Sequence, residues 1–235
     1  MRHPTRNKLA VVLLSGGLDS TTTLFLALNK GFEASCLIFD YGQRHKREVE
    51  GAKKIARWAH CAYRIEKLAL VNRGSSLLDK KIKVPVAKFS GKIPSTYVPA
   101  RNLIFLSIAS SFAESLGAEA IFIGANAIDF SGYPDCRPEF YSSLQRVLDV
   151  GTKSGVEGKG IKIITPLINR TKKEIVLLGA KLGVPFNLTW SCYKGGKRPC
   201  GKCESCFLRD KGFKEAGLKD PLKIKYEREY NRTDK

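Results

Sequence analysis

The chain has 235 residues, enough for one sizeable α/β core with a small appendage, because single hydrophobic cores grow to about 250 residues before chains divide. Hydrophobic residues make up 43% and charged residues 27%, a soluble globular balance, and the longest uncharged stretch, residues 102–113, is too short to span a bilayer. Formal net charge is +19, concentrated in residues 41–101, where fifteen Lys or Arg face four Asp or Glu. Such polarity reads either as a solvated lysine-rich surface or as a field that draws a nucleotide triphosphate or RNA, and charge alone does not separate the two. Arg2, Arg6 and Lys8 run straight into a short strand without a leader-like apolar region, so a cytoplasmic protein is expected.

In chain order, residues 9–14 (LAVVLL) form a continuous apolar run, as a strand buried on both faces should. Residues 20–30 follow as a helix closed by Gly31, then a second buried strand at 34–39 (ASCLIF). Residues 44–60 carry Val49, Ala52, Ile55, Ala56 and Ala59 at helical spacing. Residues 72–99 lack clear periodicity and are broken by Gly74, Pro85, Gly91, Pro94 and Pro99, which reads as a basic, partly ordered insertion. A helix over 103–116 ends at Gly117, a third buried strand covers 120–123 (AIFI), and residues 152–160 read as a flexible loop. Thr171 and Glu174 make a capping box before the apolar run that ends at Gly183, and the charged stretch from Asp220 is expected to be loosely held. The pattern is α/β, a doubly wound parallel sheet, in which ligands bind outside the carboxyl ends of the strands. Residues 1–188 are expected to form this domain and 189–235 a smaller cysteine-bearing segment.

The first strand ends in SGGLDS. Gly16 and Gly17 let the backbone turn tightly and present N–H groups to an anion, the helix N-terminus adds a favourable partial charge, and Ser15, Ser20 and Thr21 supply hydroxyl donors. No Lys follows the glycines, so this is not the Walker-type loop. Asp19 beside a phosphate nest makes sense if Mg²⁺ sits between them, since that ion takes one or two carboxylates plus substrate phosphates. A plain glycine-rich turn capped by Asp19 or Ser20 is the bland reading. The full order, with strand before and helix after, resembles the pyrophosphate-loop ATPases, which cleave ATP between the α and β phosphates and adenylate an oxygen.

Cys192, Cys200, Cys203 and Cys206 are spaced C-x7-C-x2-C-x2-C among glycines and a proline, which suits a tetrahedral Zn²⁺ site. Two disulfides are disfavoured in a reducing cytosol, and an iron–sulfur cluster is the rival. Cys36 and Cys61 read as core residues. Residues 129–140, DFSGYPDCRPEF, follow the third strand and Gly124 and should overhang the same sheet edge as the bend. Asp129, Tyr133, Asp135 and Arg137 there suit a flat polar heterocycle: an aromatic face, carboxylates for ring N–H groups and a cation for an acid. Cys136 reads as pocket lining rather than as a sulfur carrier.

SGGLDSTT, FDYGQRH (39–45), VPARN (98–102), DFSGYPDCR and the four cysteines, in this order, resemble the 7-cyano-7-deazaguanine synthase family over residues 9–208. The resemblance implies an adenine nucleotide alpha hydrolase-like fold and conversion of 7-carboxy-7-deazaguanine to a nitrile with ATP and ammonia, in queuosine or archaeosine biosynthesis. It implies structural Zn²⁺ on the four cysteines, Mg²⁺, and ATP as co-substrate. ATP is then expected on Leu14, Ser15, Gly16, Gly17, Leu18, Asp19, Ser20, Thr21, Thr22, Thr23 and Leu24, with Asp40, Tyr41, Gln43 and Gly124. Ser15, Asp19, Ser20 and Arg101 are the expected catalytic residues, and Asp129 joins Asp19 as a candidate Mg²⁺ ligand. The deazaguanine is expected on Asp129, Tyr133, Asp135 and Arg137, without a need for direct tRNA binding, in a homodimer. Ala100 departs from the Gly common at that place. The rivals are a tRNA-modifying adenylating enzyme, of the thiolating or lysidine synthase type, and a non-enzymatic zinc-ribbon nucleic-acid binder.

Overall fold

A computed structural model describes residues 8–70, 74–87, 93–128 and 132–226. Strands β1 (Lys8–Leu13), β2 (Phe32–Asp40), β3 (Ala62–Lys67), β4 (Ala120–Ile123) and β5 (Lys162–Ile164) form one sheet in the order β3-β2-β1-β4-β5. Every pairing is parallel, with Leu13 beside Leu37 on one side and Ile123 on the other. The three apolar runs became the three inner strands, because only strands covered on both faces need apolar side chains at successive positions.

Alternate residues feed two cores. Val12, Leu14, Cys36, Ile38 and Phe122 pack under helices α1 (Leu18–Asn29), α2 (Arg47–Trp58) and α6 (Lys172–Lys181). Val11, Leu13, Leu37, Ile121 and Ile123 pack under α3 (Arg101–Leu116) and α4 (Pro138–Gly151). The chain thus winds outward through β2 and β3 on one face and returns through α3 to β4 on the other. The reversal between β1 and β4 is the topological switch point, which opens a crevice at their carboxyl ends.

Two expectations are corrected, and the basic insertion gains detail. Residues 152–160 are not simply a loop: a short helix α5 (Lys153–Val156) starts where the Thr152 side chain accepts from Gly155 N. The described part of the stretch beginning at Asp220, residues 220–226, is held, because that carboxylate takes two hydrogen bonds from Arg209 at 2.7 and 2.9 Å and Leu222 is buried. The described part of the basic insertion is also tied down. Arg44 donates to the carbonyls of Asp79 and Ile82, Ala87 N donates to Lys202 O, and Val84 packs among the clustered cysteines. Several cations of residues 41–101 have such local work: Arg57 donates to Tyr63, Arg64 and Lys53 pair with Glu66 and Glu50, and Arg47 lies over the Trp190 ring. Helix α7 (Glu204–Glu215) carries the last two clustered cysteines' neighbours back onto the main core through Phe213, which meets Phe186 edge to face.

Candidate active site

The crevice at the switch point is a cleft of about 250 Å³. Its floor is the SGGLDS bend. Gly16 has φ +79, and an added Cβ there would lie 2.4 Å from Glu48 O and 2.6 Å from Ala52 N, so only glycine lets α2 sit directly on the bend. Gly124 plays the matching part from β4, where a Cβ would meet Ser20 N at 2.8 Å. Ser15 and Ser20 face each other with hydroxyl oxygens 2.9 Å apart, and Ser20 Oγ also accepts from Ser15 N. Gly17 caps α1 without a side-chain acceptor, leaving the positive end of that helix directed at the crevice.

Asp19 is not alone on an exposed loop. Lys172 Nζ, from the first turn of α6, donates to its Oδ1 at 2.9 Å and its Oδ2 at 2.8 Å. The two side chains are 19% and 7% exposed. Asn126, in the segment that follows β4, sets the approach of α6 by donating to the carbonyls of Leu167 and Arg170. Arg209 also reaches the cleft wall, where Thr189, Ser191, Phe186 O and Asp220 take its hydrogen bonds.

Of the expected nucleotide residues, Leu14, Ser15, Gly17, Leu18, Asp19, Ser20, Tyr41, Gln43 and Gly124 line the cleft. Thr22, Thr23 and Leu24 point into the core instead. Thr22 Oγ1 donates to Leu18 O, while Thr21 Oγ1 donates to Gly17 O and steadies the bend. Asp40 lies outside the lining, and Gln43 is partly spent on the end of β2, accepting from Tyr41 N and donating to Phe39 O.

The opposite wall carries Arg101, Tyr133 and Cys136. Arg101 opens α3 directly after Ala100, which caps the helix in the left-handed region at φ 53. Asp135 and Arg137 do not join them. Asp135 is buried with its carboxylate accepting from Asn102 N at 3.0 Å, so it satisfies a free amide of α3, and Arg137 is exposed outside the cleft. The short 3-10 turn at Pro134–Cys136 buries Asp135 and Cys136 side by side and leaves Pro134 and Arg137 exposed. Asp129 lies outside the described residues. Burial pushes the Cys136 thiol up to about 11, which keeps it protonated and agrees with a lining role.

Sequence reasoning missed Glu48, His45, Lys172, Trp190, Tyr193 and Arg209, all in the cleft lining. Burial pushes the Glu48 carboxyl up to about 7 even though Arg101 draws it down. Beside the cleft, the Sγ atoms of Cys192, Cys200, Cys203 and Cys206 lie within 4.8 Å of one another. Four thiolates on a tetrahedral ion with bonds of about 2.3 Å would stand about 3.8 Å apart, so the set needs only slight contraction. Amides of Cys200 and Cys203 already point at the sulfurs of Cys192 and Cys200. Hydrogen bonds from Cys203 and Cys206 hold the Cys192 thiol low, while the same contacts and burial push the Cys206 thiol up.

Fold and bend together define the class: an α/β protein with a glycine bend and an uncapped helix N-terminus, a geometry suited to an anion, at the switch point of its sheet. Residues 9–217 match the family model described as queuosine biosynthesis protein QueC, and the chain belongs to that family. It is 56% identical over 214 residues to 7-cyano-7-deazaguanine synthase of Acetivibrio thermocellus, covering 91% of this chain and 96% of that one. It is 53% identical over 230 residues to the protein of the same name from Thermoplasma volcanium, covering 96% and 95%. Solved structures with a similar course include NMN synthetase from Francisella tularensis, at 14% identity and a TM-score of 0.48 over 92% of this chain and 89% of that one. Among the described residues no helix is long and apolar enough to cross a membrane.

Proposed function

We propose that this protein converts 7-carboxy-7-deazaguanine and ammonia to 7-cyano-7-deazaguanine at the expense of ATP. Family membership supports the reaction, and the bend at the switch point is the observation that carries the assignment of the site. A carboxylate is a poor electrophile, and transfer of AMP to its oxygen creates a leaving group that ammonia displaces to give the amide. A second adenylation, on the amide oxygen, lets AMP depart as the nitrile forms. Two ATP are consumed per product.

The protein's part is position and charge. The hydroxyls of Ser15 and Ser20 and the free amides at the start of α1 receive phosphate oxygens. Lys172 stands within reach of the same oxygens and neutralises Asp19 in their absence. Arg101 faces the substrate side, where its guanidinium offers donors to an oxygen of the substrate. Asp19 is the residue that would hold Mg²⁺, which supplies charge neutralisation at the phosphates; one carboxylate plus phosphates is that ion's usual set. Cys192, Cys200, Cys203 and Cys206 would hold Zn²⁺ as a structural crosslink. Tyr41, Tyr133 and Gly124 complete the proposed site, whereas Thr22 to Leu24 act as core residues of α1.

The test is direct. The full chain is incubated with Mg-ATP, ammonium and 7-carboxy-7-deazaguanine, without tRNA, and the products are read by mass spectrometry. Nitrile with a transient amide and pyrophosphate is expected. ATP cleavage that depends on tRNA, with no nitrile, would assign the site to an RNA-modifying reaction instead.

A further inference from the structure

Among the described residues lining the cleft there are two acids, Asp19 and Glu48. Asp19 is occupied by Lys172. Glu48 is not comparably engaged: none of the described side-chain or backbone donors makes a hydrogen bond to its carboxylate, and its one favourable charged neighbour is Arg101. Glu48 is half-buried, lines the cleft and is short of donors, so its carboxylate is poised to take N–H groups from whatever enters. Its backbone is fixed, because its carbonyl packs on Gly16 in the phosphate bend. Arg101 comes from the facing helix, and the ring system around the pair is aromatic: Tyr41 and Tyr133 lie near the guanidinium, and Phe105 and Tyr193 complete the wall.

The proposed substrate has a matching edge. Read along its six-membered ring, a deazaguanine offers the O6 acceptor, then the N1–H donor, then the 2-amino donor. A guanidinium beside a carboxylate offers the complement in the same order: donor, acceptor, acceptor. Of the three groups on that edge O6 is the one nearest the 7-carboxyl group, so an arginine at O6 lies next to the reacting carbon. We infer that Glu48 is the specificity-determining residue of this site, taking N1–H and the 2-amino group on its two carboxylate oxygens while Arg101 meets O6. This inference rests on the proposed reaction and adds to it the part of the chain that selects the ring.

The experiment compares two acids on the full-length protein: 7-carboxy-7-deazaguanine and its 2-deamino analogue, 7-carboxy-7-deazahypoxanthine. Pyrophosphate release gives KM and kcat for each acid and for ATP, in the parent and in Glu48→Gln and Glu48→Asp. The parent is expected to prefer the 2-amino acid by roughly tenfold or more in kcat/KM, the scale of one hydrogen bond to a charged group. Glu48→Gln, which turns an amide N–H toward the ring donors, should raise KM for the 2-amino acid at least as much, bring the preference close to one, and leave KM for ATP within about twofold. Glu48→Asp should keep the preference at reduced affinity. A parent that uses both acids equally overturns the inference whether or not any variant folds. So does a Glu48→Gln protein in which KM for ATP rises and the preference survives, which would give this wall to adenosine. Failure of the underlying reaction is seen separately, as absence of nitrile from the parent.

Discussion

The ion pair between Asp19 and Lys172 invites a substitution that keeps shape and removes charge. Lys172→Met retains a long apolar stem where the lysine stem lies against Gly212, and deletes the ammonium. Two charge-assisted hydrogen bonds at 2.8 and 2.9 Å are lost, and a carboxylate only 19% exposed is left without its counterion. Bonds to charged groups contribute about 1.5–3 kcal/mol, and the burial places this loss in the upper half, about 2–3 kcal/mol. At about 2–4 °C per kcal/mol for a domain of this size, the unfolding midpoint should fall by roughly 4–12 °C. Turnover should fall about tenfold or more, because incoming phosphate oxygens then meet an uncompensated negative charge. Calorimetry and pyrophosphate release on Lys172→Met, Asp19→Asn and the double variant check both parts. The double variant should recover much of the stability, with a coupling of about 1.5–3 kcal/mol. If the single losses simply add, or if the midpoint of Lys172→Met does not move, the pair does not act as a unit and the argument fails.

Gly16→Ala adds a Cβ 2.4 Å from Glu48 O at a φ of +79, so a stability loss of about 3 kcal/mol or more and collapse of ATP turnover are expected in urea unfolding and kinetic assays. Cys203→Ser should abolish metal binding, with one zinc per chain in the parent and none in the variant by elemental analysis; iron with a visible chromophore in the parent would refute the zinc assignment. Asp135→Asn should cost about 1 kcal/mol through the amide of Asn102, while Arg137→Ala leaves both stability and KM for the acid nearly unchanged. A raised KM in Arg137→Ala would return that residue to the site.

The inner strands were legible because burial on both faces writes itself as an unbroken apolar run at 9–14, 34–39 and 120–123. The outer strands left weaker marks. β3 reads AYRIEK, with exposure alternating along it, and β5 is three residues long, too short to show any period. Helix α4 was hidden by Pro134, in the turn that precedes it, and by Pro138, which is its first residue. At the site, the bend was legible because its chemistry is contiguous: strand, two glycines, acid, hydroxyl. Lys172 was visible only as the second residue of a capping box, and Glu48 as one polar position on an amphipathic helix. Neither has a local signature, since each acquires its role from a neighbour far away along the chain. Asp135 and Arg137 show the converse: residue types suited to a ligand that do not line the cleft, the first because its carboxylate accepts from Asn102 N and the second because it is exposed.

The partners of the bend come last in the chain. Asp19 waits for Lys172, which lies 153 residues further on, and Gly16 O waits for the amide of Trp190. During synthesis the complete SGGLDS segment therefore leaves the ribosome long before the cation that balances its acid and the tryptophan that pins its turn. A nascent or truncated chain ending before α6 carries the whole motif with none of that support. A fragment that contains every residue of the bend but stops short of α6 therefore lacks both the cation and the amide that hold the bend in place.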